Sequence, residues 1–141
     1  MTGLPVRSLG RPGGTIAYRV VGTGPPLMLL HATLSSGRQL RALATRLAAR
    51  FRVISVDRRG SGDSSAAAPT PARPIDVEVH VDDLMAIAAE EGLEGSALVG
   101  HSYGGCVALE LAARRPEAVS AVFAYEPPYA HVAPPEAQRH M

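Results

Sequence analysis

Ser102 has the strongest case for chemistry in this sequence. It stands in LVGHSYGGC, residues 98–106, between Gly100 and Gly104. A serine hydroxyl attacks a carbonyl usefully only when a base takes its proton and N–H groups receive the charge that forms on oxygen. The pentapeptide GHSYG is weak evidence by itself, because a serine after a glycine turn is also an ordinary helix N-cap. The setting is more specific. The apolar run Ala97-Leu98-Val99 precedes the motif, and a helical pattern over residues 103–115 follows it. A very tight strand-to-helix turn holds such a serine in strained backbone geometry, with Oγ projecting from the top of a sheet. Side chains two positions either side would collide there, and both positions are glycine. The helix N-terminus supplies free N–H groups and about half a positive charge, so the Tyr103 N–H can meet an oxyanion formed at Ser102.

Elements that could position this serine recur along the chain. Residues 6–9 and 16–21 are extended segments, and Arg11-Pro12-Gly13-Gly14 between them predicts a hairpin turn. Residues 27–30, Leu-Met-Leu-Leu, suit a strand buried on both faces of a parallel sheet. Leu40, Leu43, Ala44, Leu47 and Ala48 repeat at helical spacing, with arginines on the other face. Residues 51–56 form the next strand, and DRRGSGDS (57–64) is a glycine-punctuated loop. The Ala- and Pro-rich stretch 65–74 reads as a mobile surface loop. Val81, Leu84, Met85 and Ala88 predict a second helix. Residues 96–99 and 119–125 read as two more buried strands, on either side of the 103–115 helix that Pro116 stops. The predicted fold class is therefore α/β: an N-terminal hairpin followed by βαβαβαβ in a mostly parallel sheet with right-handed crossovers.

Bulk properties exclude several classes. With 141 residues the chain is the size of one domain, and a net charge of +1 gives no field for nucleic acid or an anionic membrane. All 14 basic residues are arginine and they are scattered, a composition bias rather than a phosphate-binding design. The single cysteine, Cys106, rules out a disulfide framework and reads as a small core residue. The N-terminus lacks the pattern of a secretory signal, and no apolar run approaches the ~20 residues that span a bilayer. A soluble cytoplasmic protein is the expectation.

Three stretches together resemble the α/β-hydrolase fold family. LMLLHATLSS (27–36) resembles the strand and loop that give one oxyanion donor. VISVDRRGSGDSS (53–65) resembles the strand and Asp-x-Arg-Gly-x-Gly-x-Ser loop of that family. LVGHSYGGCVALELAARRPEAVSAVFAYEPP (98–128) resembles the nucleophile turn, its helix and the next strand. The resemblance implies a serine hydrolase acting on a small-molecule ester or similar carbonyl substrate through an acyl-enzyme on Ser102, with no metal or organic cofactor. It implies oxyanion N–H groups from Tyr103 and Thr33, although this chain has His31-Ala32 where many members have His-Gly. It makes His31 and Asp57 loop braces and turns His101 away from the attack face of Ser102. His80 is expected to be solvated, and Asp82 and Asp83 to sit near a helix start.

The family order is serine, then acid, then histidine. Glu126, after the 119–125 strand, is the candidate acid. His131 and His140 follow in a proline-rich tail that would have to fold back to reach Ser102. The expected organisation is a partial hydrolase core over 1–126, with 127–141 a tail or the start of a cap. The base, and the acid unless it is Glu126, would come from outside the sequence, which is expected to be a fragment or a truncated gene product. A strand left bare at the sheet edge would invite self-association. Two other readings stand beside the esterase: a non-catalytic interaction module, and a cofactor-free haloperoxidase or carbon–carbon bond hydrolase. The absence of tryptophan, and serine rather than aspartate at 102, argue against haloalkane dehalogenation.

Overall fold

A computed structural model describes residues 3–66 and 75–128. Strands β1 (Arg7–Arg11) and β2 (Gly14–Val21) pair antiparallel with Arg11 opposite Gly14. Only Pro12 and Gly13 connect them, and Gly13 takes the positive φ, +79°, that so short a turn requires. Strand β3 (Pro26–Leu30) follows, then a 3-10 turn (Gly37–Leu40), helix α1 (Arg41–Leu47) and strand β4 (Arg52–Asp57). A short strand β5 (Ser65–Ala66) precedes helix α2 (Val77–Glu90), strand β6 (Ser96–His101), helix α3 (Tyr103–Arg114) and strand β7 (Val119–Tyr125).

Among the described residues the sheet order is β1-β2-β4-β3-β6-β7, with β5 on β2. β4, β3, β6 and β7 run parallel, and the hairpin joins antiparallel through β2 on β4. This is the predicted hairpin plus βαβαβαβ. Connections leave β3 toward one edge and β6 toward the other. A crevice opens at the carboxyl ends of neighbouring strands where the winding reverses in this way. The loop after β3 and the turn at Ser102 both lie there.

Alternation along each strand divides the core. Ile16, Tyr18, Met28, Leu30, Ile54, Val56 and Leu98 pack against Val81, Leu84 and Ile87 of α2 and Val107, Ala108 and Leu111 of α3. On the opposite face Leu27, Leu29 and Val53 meet Ala44 of α1. Asp76 caps α2, its carboxylate accepting the Val79 N–H at 3.2 Å. No described helix is long and apolar enough to cross a membrane.

Several expectations are corrected. Ser65 and Ala66 pair with β2 rather than starting a loop, because the Ser64 and Ser65 hydroxyls accept the N–H groups of Ala17 and Thr15. Residues 67–74 lie outside the described residues. The helix expected from Leu40 starts at Arg41, and Leu43 is exposed rather than part of its buried stripe. β7 is not buried on both faces: no described element covers its outer face, and Phe123 and Tyr125 are 62% and 54% exposed. Asp82 and Asp83 sit in the second turn of α2, not at its start, because the helix begins at Val77.

Candidate active site

Ser102 occupies the turn between β6 and α3 with φ 52° and ψ −121°. Such a conformation costs about 1–3 kcal/mol for a non-glycine residue and persists only where the surroundings impose it. They impose it here. The Ser102 N–H donates to the Tyr125 carbonyl at 2.9 Å, and the Ser102 carbonyl accepts from Gly105 N–H at 2.8 Å. A Cβ on Gly100 would lie 2.3 Å from the Gly104 carbonyl oxygen. A Cβ on Gly104 would lie 2.5 Å from the Leu30 carbonyl oxygen and 2.6 Å from that of His31. Both glycines are thus required by backbone approaching backbone. The Ser102 side chain makes no capping hydrogen bond to α3. The ordinary N-cap role therefore does not account for this serine.

Among the described residues three non-glycine residues have positive φ: Leu34 at 55°, Ser102 at 52° and Glu126 at 49°. They follow β3, β6 and β7, three adjacent strands, at the same carboxyl edge. Strain concentrated at one edge marks a functional site better than strain scattered over a fold. The periodicity of the sequence carries no trace of it at Leu34 or Glu126.

The loop after β3 is braced from beneath. His31 is fully buried and donates from Nδ1 to the Ala32 carbonyl at 2.8 Å. Its Nε2 accepts the Arg58 N–H at 3.0 Å. Burial, aided by the Arg58 charge, holds the imidazole below its usual pKa range and hence neutral at pH 7. Both nitrogens are occupied, so His31 is a brace, as expected. Ala32 and Thr33 do not take positive φ; Leu34 does. Alanine in place of the family glycine at 32 therefore costs no backbone strain. Thr33 is exposed on this loop and Leu34 is 99% exposed.

Asp57 is also a brace. It is fully buried and accepts from Gly37 N–H at 2.8 Å, Asp63 N–H at 3.0 Å and Arg19 Nη1 at 3.3 Å. Gly62 packs so tightly on this carboxylate that a Cβ would lie 2.4 Å from it. The Cys106 thiol donates to the Pro128 carbonyl at 3.2 Å, and burial pushes its pKa up, which leaves it a poor nucleophile. His101 lies against Tyr125, with ring centroids 5.4 Å apart.

His80 departs from expectation. It is 5% exposed, packed edge-on to Tyr103, and burial lowers its pKa to about 4. The helical pattern that placed Val81 and Leu84 inside also turns His80 inward, against Tyr103 and close to Arg58, Arg59 and Asp83. Glu126 is exposed at the end of β7 and makes no hydrogen bond among the described residues. His131 and His140 lie outside the described residues, as does the expected tail apart from its first two residues, 127–128. Sequence reasoning missed Arg58, which is buried beneath Tyr103 with its guanidinium carbon 4.9 Å from the ring centre. A cavity of about 400 Å³ opens beside the elbow, lined by Asp76, Val77, Tyr103, Cys106, Glu110 and Pro128. That volume is within the range of small-molecule sites.

Comparison with known proteins agrees with this fold. The model of the alpha/beta hydrolase fold family matches residues 25–140. The chain belongs to the α/β-hydrolase family. It is 32% identical over 116 residues to the uncharacterized hydrolase YraK of Bacillus subtilis strain 168, covering 82% of this chain and 42% of that one. It is also 32% identical to the bifunctional epoxide hydrolase 2 of Sus scrofa, over 84% of this chain and 21% of the other. Among solved structures, an epoxide hydrolase from an endophytic Streptomyces superposes with TM-score 0.80 at 34% identity, covering 88% of this chain and 37% of that one. A marine microorganism esterase superposes with TM-score 0.71 at 27% identity, over 86% and 41%. The chain thus spans less than half the length of these α/β-hydrolase relatives.

Proposed function

We propose that Ser102 is the nucleophile of a serine hydrolase acting on a small ester or similar carbonyl compound. The observation that carries this is the strained Ser102 backbone at the head of α3, with its hydroxyl unused by the helix. Attack by Oγ would form a tetrahedral intermediate whose oxygen takes N–H donors from Tyr103 and Thr33. Expulsion of the alcohol leaves an acyl-serine, which water then hydrolyses. The proton acceptor is neither His31 nor His80, since the first has both nitrogens engaged and the second is buried at the underside of Tyr103. Glu126, which follows the strand paired with β6, is the candidate acid that would orient such a base.

Several relatives are named epoxide hydrolases. A serine alkoxide opening an epoxide would be left as an ether, which water does not cleave under mild conditions. Serine at 102 therefore favours acyl chemistry, in which the second step regenerates the hydroxyl. The test is labelling of the folded chain with a fluorophosphonate. Adduct mass on the 98–106 segment, absent in Ser102→Ala, is expected. A folded chain that takes up no label at Ser102 would overturn the assignment.

A second reading rests on β7. Among the described residues this strand lies at the sheet margin, carries no charged residue and exposes Phe123 and Tyr125. Uncharged open edges are templates for another strand. We propose that the chain self-associates through it. Sedimentation velocity from micromolar to hundreds of micromolar should show a concentration-dependent larger species; a single monomer throughout would exclude it.

A further inference from the structure

Arg19, Arg58 and Arg59 are all buried, at 7%, 7% and 9% exposure. Arg19 pairs with Asp57, and Arg59 takes both oxygens of Asp83 at 3.0 and 2.7 Å. Arg58 has no carboxylate partner among the described residues. Its Nε donates to the His31 carbonyl at 3.2 Å and its Nη2 to the Ala32 carbonyl at 2.9 Å. The guanidinium carbon lies over the Tyr103 ring, 4.9 Å from its centre. A buried cation without a counter-charge is costly unless something else compensates it. Here two carbonyl dipoles and an aromatic ring do so, and all three belong to the loop and turn that frame Ser102.

The consequence follows from peptide geometry. A trans peptide is planar, so a carbonyl and the next residue's N–H point in opposite directions. The Ala32 carbonyl is pulled down by two donors at once, Arg58 Nη2 and His31 Nδ1. The Thr33 N–H must then point up, away from Arg58. Gly104, packed against the His31 carbonyl, keeps this loop in contact with the elbow.

We propose that Arg58 is a positioning residue of this site. Its fork clamps the His31 and Ala32 carbonyls and so aims the Thr33 N–H at the oxygen of a carbonyl attacked by Ser102. The proposal rests on the reading of Ser102 as nucleophile, but it makes a claim about the loop that can be checked separately. Arg58 itself touches no reacting atom. It also replaces what a loop glycine would otherwise supply, since the Ala32–Thr33 peptide is held by hydrogen bonds rather than by unusual φ.

The test uses the 141-residue chain with Arg58→Met and Arg58→Lys, each shown folded by its melting transition. Two readouts are taken: the rate of fluorophosphonate labelling at Ser102, and the amide proton–nitrogen resonances of Thr33 and, as a control in the sheet, Val99. In Arg58→Met labelling should slow by about tenfold or more, as expected for a misdirected oxyanion donor. The Thr33 resonance should move while that of Val99 stays. Arg58→Lys, which returns the charge and one donor, should recover part of both. Wild-type labelling in Arg58→Met, or an unmoved Thr33 resonance, overturns the proposal. If the parent chain takes no label, the Ser102 reading falls by itself and the Thr33 resonance alone decides the clamp. If Arg58→Met does not fold, Arg58→Lys and Arg58→Gln take its place, and parental values in both overturn it.

Discussion

The two margins of the sheet are held by different physics. On the hairpin side three carboxylates, those of the buried Asp57 and Asp83 and of the partly buried Glu91, each bind arginine from another element. Asp83 of α2 takes Arg59 from the loop after β4 and Arg11 from the hairpin. Glu91 takes Arg7, Arg52 and the Tyr18 hydroxyl, and burial together with that contact pushes Tyr18 up to about 12. On the far side, β6 and β7 are joined by their ladder and by α3 on one face, and β7 takes part in no ion pair among the described residues. Ser102 sits at the seam. The cross-linked half holds the β3 loop still, and the turn from β6 brings the serine to it. Ion pairs concentrate on the side of the sheet that carries the loop after β3, while no described element covers the outer face of β7.

The largest expected effect comes from breaking the cross-linked half. Asp57→Ala leaves Arg19 without its innermost partner and orphans the Gly37 and Asp63 N–H groups. Removing one partner of a buried pair costs about 3–5 kcal/mol, a large part of a domain's usual 5–15 kcal/mol. The urea midpoint should fall accordingly. A loss below about 1 kcal/mol would mean that the half is not held by Asp57, and the contrast between margins would lose its main support.

Next in size is a pH effect. His80 titrates at about 4 when folded because burial disfavours its charge, against roughly 6.5 when unfolded. Between those values the unfolded chain binds the extra proton, so stability rises with pH through that window. It is complete above about pH 6.5 and falls as pH drops toward 4. At about 1.4 kcal/mol per unit the His80 share is roughly 3 kcal/mol. His31, also lowered by burial, adds in the same direction. Glu91 acts lower down: burial opposes its ionisation, but hydrogen bonds from Arg7 and Tyr18 win and depress its pKa, so its contribution is lost only as pH falls through the carboxylate range. Denaturant midpoints at pH 4.5 and 7 should converge in His80→Phe. An unchanged slope would place the effect elsewhere.

Much of this was legible in residue order. Apolar runs at 27–30 and 96–99 marked central strands because both faces there are covered or partly so. Gly100 and Gly104 marked the elbow because only a missing Cβ permits such close backbone approach. What stayed hidden depends on residues distant in sequence. His80 reads as polar, but its burial is decided by Tyr103 and Arg58 from two other elements. Arg58 is one of fourteen arginines, and nothing local separates it from the salt-bridged Arg59 beside it. The run at 119–125 reads as buried, yet whether a strand is covered depends on what packs over it, which periodicity does not encode.

The smallest expected effect lies on the open side and separates stability from association. Phe123→Ser removes an aromatic ring that is 62% exposed. Little area returns to water on unfolding, so the monomer's stability should change by no more than about 0.5 kcal/mol, as for surface substitutions generally. The same ring would be among the groups covered if two β7 edges met, so the concentration at which the larger species forms should rise. A drop in stability comparable to that of Asp57→Ala would show that Phe123 packs against something within the chain, and the β7 face would then not be open. An unchanged midpoint with weakened association is the pattern expected of an edge that contributes little to its own fold and offers its surface to another strand.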